Sequence, residues 1–209
     1  MLFSNRENYK LISRILALGF FIITLYSCKN DDDAIAIAPQ VITEANITVY
    51  NQDELTDDYV LVSPFRGNSS FLIDRQGTIL QRWSSTESTF MGYLREDGSV
   101  VRPVITGVNN GITLGGKTGA IEIIDKNNNQ IWKWSLDTAT EALHHDISLL
   151  PNGNILASVW VVKDRAACIA NGRDPNSIVE DRLIIDKVIE IQPVGSDQAN
   201  IIWEWSMWD

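Results

Sequence analysis

The sequence predicts an all-β fold: a partial β-propeller of about three four-stranded blades, behind a lipoprotein signal peptide. Three observations predict it. Segments near residues 71, 122 and 189 repeat one strand–turn–strand pattern that ends in tryptophan. A second hairpin pattern falls between those copies. No stretch from residue 46 onward has convincing helical periodicity.

Residues 1–27 read as a signal peptide. Arg6, Lys10 and Arg14 give a positive start, and the apolar run ILALGFFIITLYS follows over 15–27. That run is shorter than the ~20 apolar residues a bilayer span needs. It suits the apolar region of a secretory signal. The ending LYSC resembles a bacterial lipobox with Cys28 as the lipidated residue. An ordinary signal peptide with a chance cysteine is the other reading.

Residues 28–45 read as a flexible acidic tether. Asp31, Asp32 and Asp33 stand just after Cys28, in a small, Pro-containing stretch with nothing to build a core. The stretch is similar to the acidic signal that sends some lipoproteins to the outside of the outer membrane, and it also serves as a plain spacer. The expected location is therefore the outer membrane, at the cell surface or the periplasmic face. Signal removal takes away three positive charges and one negative. It moves the formal charge from −10 to about −12. Such a surface repels nucleic acid and anionic lipid, which leaves the lipid anchor as the membrane contact. With Cys28 lipidated, Cys168 has no partner for an intrachain disulfide or a thiolate metal site.

Residues 46–209 carry the repeat. FLIDRQGTILQRW (71–83) aligns with EIIDKNNNQIWKW (122–134) at an offset of 51, matching Asp74 with Asp125, Gly77 with Asn128 and Trp83 with Trp134. A looser copy, IEIQPVGSDQANIIWEW (189–205), ends in Trp203 and Trp205. The second hairpin type, LREDGSVV (94–101), aligns with LLPNGNIL (149–156) at an offset of 55. One unit is thus two hairpins in about 50 residues, the period of a propeller blade. The recurrent tryptophans, Trp132 included, are expected to pack between neighbouring blades, each burying ~150–250 Å². Closed propellers need about 4–8 blades, so the region is expected to be part of a longer protein. Asn152-Gly153 is expected to form a type I′ turn.

Two motifs do not meet their physical requirements. GITLGGKT (111–118) has the letters of a P-loop, yet a strand-like AIEIID follows Gly119 where phosphate binding needs a helix N-terminus. DKNNNQIWKWSL (125–136) starts like an EF-hand, but Gln130 replaces the required Gly and Leu136 the bidentate Glu. No cofactor motif and no metal-ligand set is left.

The candidate chemistry lies in His144-His145-Asp146, which holds both histidines of the chain. At the 55-residue offset they align with Thr89, Phe90 and Met91, so the fold itself does not require imidazole there. Strand alternation would send the two rings to opposite faces. A structural or surface pair is one reading; a site is the other. Neutral imidazole is an available nucleophile near neutral pH. A carboxylate such as Asp146 can fix a ring tautomer.

DDYVLVSP (57–64), FLIDRQGTILQRW, HHDISLLPNGNILA (144–157) and IIWEWSMWD (201–209) together resemble the bacterial, nucleotide-independent arylsulfate sulfotransferases. The resemblance covers most of residues 55–209. It implies a six-bladed propeller that moves a sulfuryl group from a phenolic sulfate donor to a phenol acceptor through a sulfated histidine. It places His144 or His145 in the active-site funnel as a sulfate-binding or proton-donating group. The family's further histidines and an arginine lie in later blades, and its W-x-x-W-D element is followed by a histidine, whereas this sequence stops at Asp209. The expectation is a truncated and inactive part of such an enzyme. Arg165 and Arg173, in the polar loop 163–182, are candidates to meet a sulfate, and a solvated loop is the alternative. A non-catalytic lipid-anchored binding module and a gene remnant are the competing readings.

Overall fold

The computed structural model describes residues 49–208, which form an all-β unit of two sheets that close into no barrel. Residues 1–27, read as a signal peptide, and 28–45, read as a tether with Cys28, lie outside the described residues. The first sheet runs β1 (Val60–Val62), β2 (Gly67–Ile73), β3 (Ile79–Thr89), β5 (Val100–Ile105), β6 (Gly119–Ile124) and β7 (Gln130–Ser135), with β4 (Tyr93–Leu94) paired to β5. The second is the meander β8 (Glu141–Leu149), β9 (Ile155–Asp164), β10 (Arg182–Val194) and β11 (Gln198–Ser206). All named strand pairs are antiparallel.

The first sheet is two meanders joined by a short link. β3 pairs with β2 through most of its length, but only Ser88 and Thr89 reach β5. Beyond that link, β4–β7 form a second four-stranded meander.

One turn design closes four of the hairpins. The N–H groups of Gly77, Gly98, Asn128 and Gly153 donate to the carbonyls of Asp74, Arg95, Asp125 and Leu150, three residues back, at 2.9–3.0 Å. Each of the four has positive φ, from 67° to 86°. The match of Gly77 with Asn128 therefore reflects a left-handed position that Gly adopts freely and Asn tolerates. The Asn152-Gly153 turn departs from type I′. Its central residues are Pro151 and Asn152, neither at positive φ, because proline fixes φ near −65°. Gly153 alone is left-handed.

Alternation then sets what is buried. Val101, Ile121, Ile123 and Trp132 of the first sheet share a core with Leu143, Ile147, Val159 and Ile189 of the second. Trp83 packs with Val100 and Ile124 in a smaller core. Each such side chain contributes ~1.5–3 kcal/mol when withdrawn from water. On the face of β5 and β6 that carries Val100 and Ile124, Arg102 and Glu122 form a fully buried pair at 2.5 Å, and Ser85 donates to Glu122. The structural role expected of the tryptophans holds for Trp83 and Trp132, 1% and 3% exposed. It fails for Trp203 and Trp205 on β11, 50% and 48% exposed. No described strand packs over their face.

A six-residue helix, α1 (Arg165–Ala170), interrupts the polar stretch between β9 and β10. Asp164 caps it by accepting from the N–H of Ala167. The segment is too short to show the apolar periodicity by which a helix is read from sequence.

Candidate functional site

β8 begins as a regular strand and breaks where its sequence turns to histidine. His144 pairs with Ser158 and Ile147 with Ala157, so His145 and Asp146 form a bulge. His145 has φ of +51°, a left-handed conformation that costs an ordinary L-residue ~1–2 kcal/mol. Its N–H donates to Gly116 O at 2.7 Å, which holds the bulge against the glycine-rich loop after β5.

The bulge undoes alternation. The two rings do not go to opposite faces: their Nδ1 atoms are 3.0 Å apart. The rings meet edge-on, 5.2 Å between centroids, and both touch Trp160, which stacks flat on His144 at 4.3 Å. Two nitrogens at this distance share one proton, so one ring donates and the other accepts. His144 is buried and His145 is exposed. Burial pushes the His144 pKa down to about 4, against a smaller upward pull from Asp186 and a further downward push from His145. The ring is neutral at physiological pH.

The carboxylate beside the pair is not its neighbour in sequence. Asp146 does not hold a ring; its Oδ1 accepts from the Tyr93 hydroxyl and from the N–H of Ile147, both at 2.6 Å. Burial, with Asp146 next in importance, raises the Tyr93 pKa to about 12. The carboxylate near His144 is Asp186 of β10, whose Oδ1 lies 3.2 Å from Nε2. The approach lacks hydrogen-bond alignment, and Nε2 is buried with no other partner. Asp186 sits 42 positions from His144 in the sequence, and only the β8–β9–β10 register joins them.

The P-loop-like segment has another use. It opens no helix; Gly119 starts β6. Gly116, at φ +94°, lies under His145, where a Cβ would stand 2.2 Å from Nε2. Lys117 is occupied: its ammonium is 2.8 Å from Asp137 and donates to Val108 O and Asn110. Gly116 is there for close approach to a side chain of the protein itself.

Arg165 and Arg173 are not bonded to this group. Arg165 pairs with Asp181 at 3.2 Å and donates to Pro175 O, and Arg173 is exposed beyond α1. The arginine that reaches the glycine-rich loop is Arg182, which donates to Gly111 O at 2.7 Å. A hollow of about 210 Å³ lies beside the bulge, lined by Asp146, Ser148, Leu156, Ser158 and Val188. A larger cavity, about 610 Å³, lies between the Arg95–Gly98 and Leu150–Gly153 turns, at the far end of β8 from His144. It contains neither histidine.

No protein-family model and no curated protein matches the chain. Among the described residues no group of three or more His, Cys, Asp and Glu side chains is placed to hold a metal ion. The chemistry at hand is that of two paired imidazoles on an aromatic support, with His144 neutral. It can accept or pass one proton, donate to an anionic oxygen, or attack an electrophile.

Proposed function

We propose that this chain is an arylsulfate sulfotransferase-like lipoprotein, anchored through Cys28 at the outer membrane, whose three meanders are blades of a six-bladed propeller. The Nδ1-to-Nδ1 pairing of His144 and His145 carries the reading. It sets two imidazoles at one bulge, where a phenolic sulfate and a phenol acceptor would need a nucleophile, a proton carrier or an oxyanion donor. The uncovered tryptophan face of β11 supports the blade reading. Trp132, the β7 counterpart of Trp203 in the repeat, is covered, so the same surface chemistry calls for one more sheet. A site formed around a propeller axis draws on several blades, and these meanders hold only part of it.

The test is release of phenol from a chromogenic phenyl sulfate in the presence of a second phenol. The 209-residue chain is expected to be inactive, and the same chain joined to its remaining blades active. In the active form both His144→Ala and His145→Ala should lose ~10²-fold or more, since the rings act on each other. Turnover by the short chain would overturn the partial-site reading. Full activity of both variants would leave the bulge as a structural strand break. Tight binding of the aryl sulfate without turnover in the extended form would instead support a lipid-anchored binding module.

A further inference from the structure

His144 has two ring nitrogens, and each faces one group. Nδ1 faces Nδ1 of His145 at 3.0 Å, and Nε2 faces the carboxylate of Asp186 at 3.2 Å. The β8–β9–β10 register puts His144 opposite Ser158, and Asp186 opposite Trp160. All four side chains therefore share one sheet face. Trp160 stacks on the ring and prevents it from turning to exchange its nitrogens. The other charged groups nearby are engaged: Lys117 with Asp137, Asp146 with Tyr93, Lys187 with Glu141.

A neutral imidazole carries one N–H and one lone pair. A carboxylate only accepts, so it favours the tautomer with the proton on the nitrogen facing it. We propose that Asp186 is a positioning residue that keeps the proton of His144 on Nε2, so that His144 Nδ1 accepts from Nδ1–H of His145. Nε2 of His145 is then a bare acceptor for a ligand hydroxyl. The imperfect alignment at Asp186 does not reverse this order, because catalytic hydrogen bonds are often loose before a ligand closes the site. Gly116 belongs to the same arrangement: the His145 ring fits over it only because it has no side chain, since a Cβ would stand 2.2 Å from Nε2. His145 thus presents an acceptor to a phenol, not a donor to sulfate. That use rests on the sulfuryl-transfer reading; the order of protons does not.

Long-range proton–nitrogen NMR of the 209-residue chain at about pH 8, above the ordinary imidazole range, reads both tautomers. The expected result is Nε2–H in His144 and Nδ1–H in His145. Asp186→Ala removes the acceptor and should reduce a bias of about tenfold to a near-even mixture in both rings. The Asp186 side chain is 55% exposed, so the variant should fold, as its amide dispersion will show. Asp146→Asn should keep the wild-type pattern. Nε2–H in His145 of the wild type, or unchanged populations in Asp186→Ala, would overturn the proposal. The expected tautomers together with absence of sulfuryl transfer in the extended protein would uphold it and remove the sulfotransferase reading alone.

Discussion

Between Thr89 and Tyr93 the strand leading into β4 carries one residue more than its partner β5; between His144 and Ile147, β8 carries two more than β9. The two breaks correspond in sequence, 55 residues apart, and they are filled in opposite ways. The first is closed from within. The Thr89 hydroxyl, fully buried, sits 2.6 Å from Met91 O and 2.7 Å from Pro103 O, and accepts from the N–H of Met91. Phe90 then stacks on Phe65. The second has no such hydroxyl. It is held from outside, by Gly116 O on the His145 N–H and by Tyr93 on Asp146. The comparison teaches that two of the meanders carry a break at corresponding positions, and that imidazole is a choice of one of them. A break closed by threonine is finished. A break propped by a neighbouring loop keeps a polar, exposed ring, and that is where chemistry has room.

Four substitutions or conditions can break or sharpen this contrast. Gly116→Ala should have the largest effect, ~2–4 kcal/mol of stability lost in denaturant melts, from positive φ and a Cβ 2.2 Å from His145. Gly92→Ala at the other break meets only the Ser63 hydroxyl at 2.8 Å and the edges of Ser70 and Val100, without positive φ. It should cost clearly less. Equal losses would mean that the second break does not depend on its loop.

The next effect is that of pH. The folded-state pKa of His144, about 4, lies below its ordinary 6.5, so the unfolded chain binds the proton that the folded chain refuses. Stability should therefore fall as pH drops from about 6.5 towards 4, by at most ~3 kcal/mol from this group. His144→Gln should flatten that part of the profile in chemical denaturation, and a slope identical to wild type would contradict the burial of the ring.

Thr89→Val keeps the shape of its side chain but removes a buried hydroxyl that lies between two carbonyls. A loss of ~1–3 kcal/mol is expected, with the His145 NMR signals unmoved. Movement of those signals would show that the two breaks are coupled. Tyr93→Phe is the smallest change, since it cuts only the link from β4 to Asp146. It should cost ~1 kcal/mol and shift the Asp146 and Ile147 amides without unfolding. Its high pKa gives a second readout. The stabilising bond is complete below pH 10 and is lost as pH rises through about 12, and Tyr93→Phe should lack that alkaline loss.

The sequence by itself determined the strands, the hairpin turns and the tryptophans that follow them, because these rest on local rules: period-two alternation, and left-handed positions for Gly and Asn. It located the HHD element by its lack of a repeat precedent, but not its place at a bulge inside a strand that begins at Glu141. The opposite-facing rings that alternation gives hold only for an unbroken strand, and the bulge at His145 cancels them. The sequence offered Asp146 as a carboxylate that can fix a ring tautomer, because adjacent residues are the ones visible along a chain. Asp186, Trp160, Tyr93 and Gly116 were brought to the pair by strand register and by a loop folded back on β8. Those contacts span 15 to 53 residues, and they exist only once the sheets are paired. The exposure of Trp203 and Trp205 was likewise decided in three dimensions: a tryptophan is buried by what packs over it, and local pattern carries no record of that neighbour.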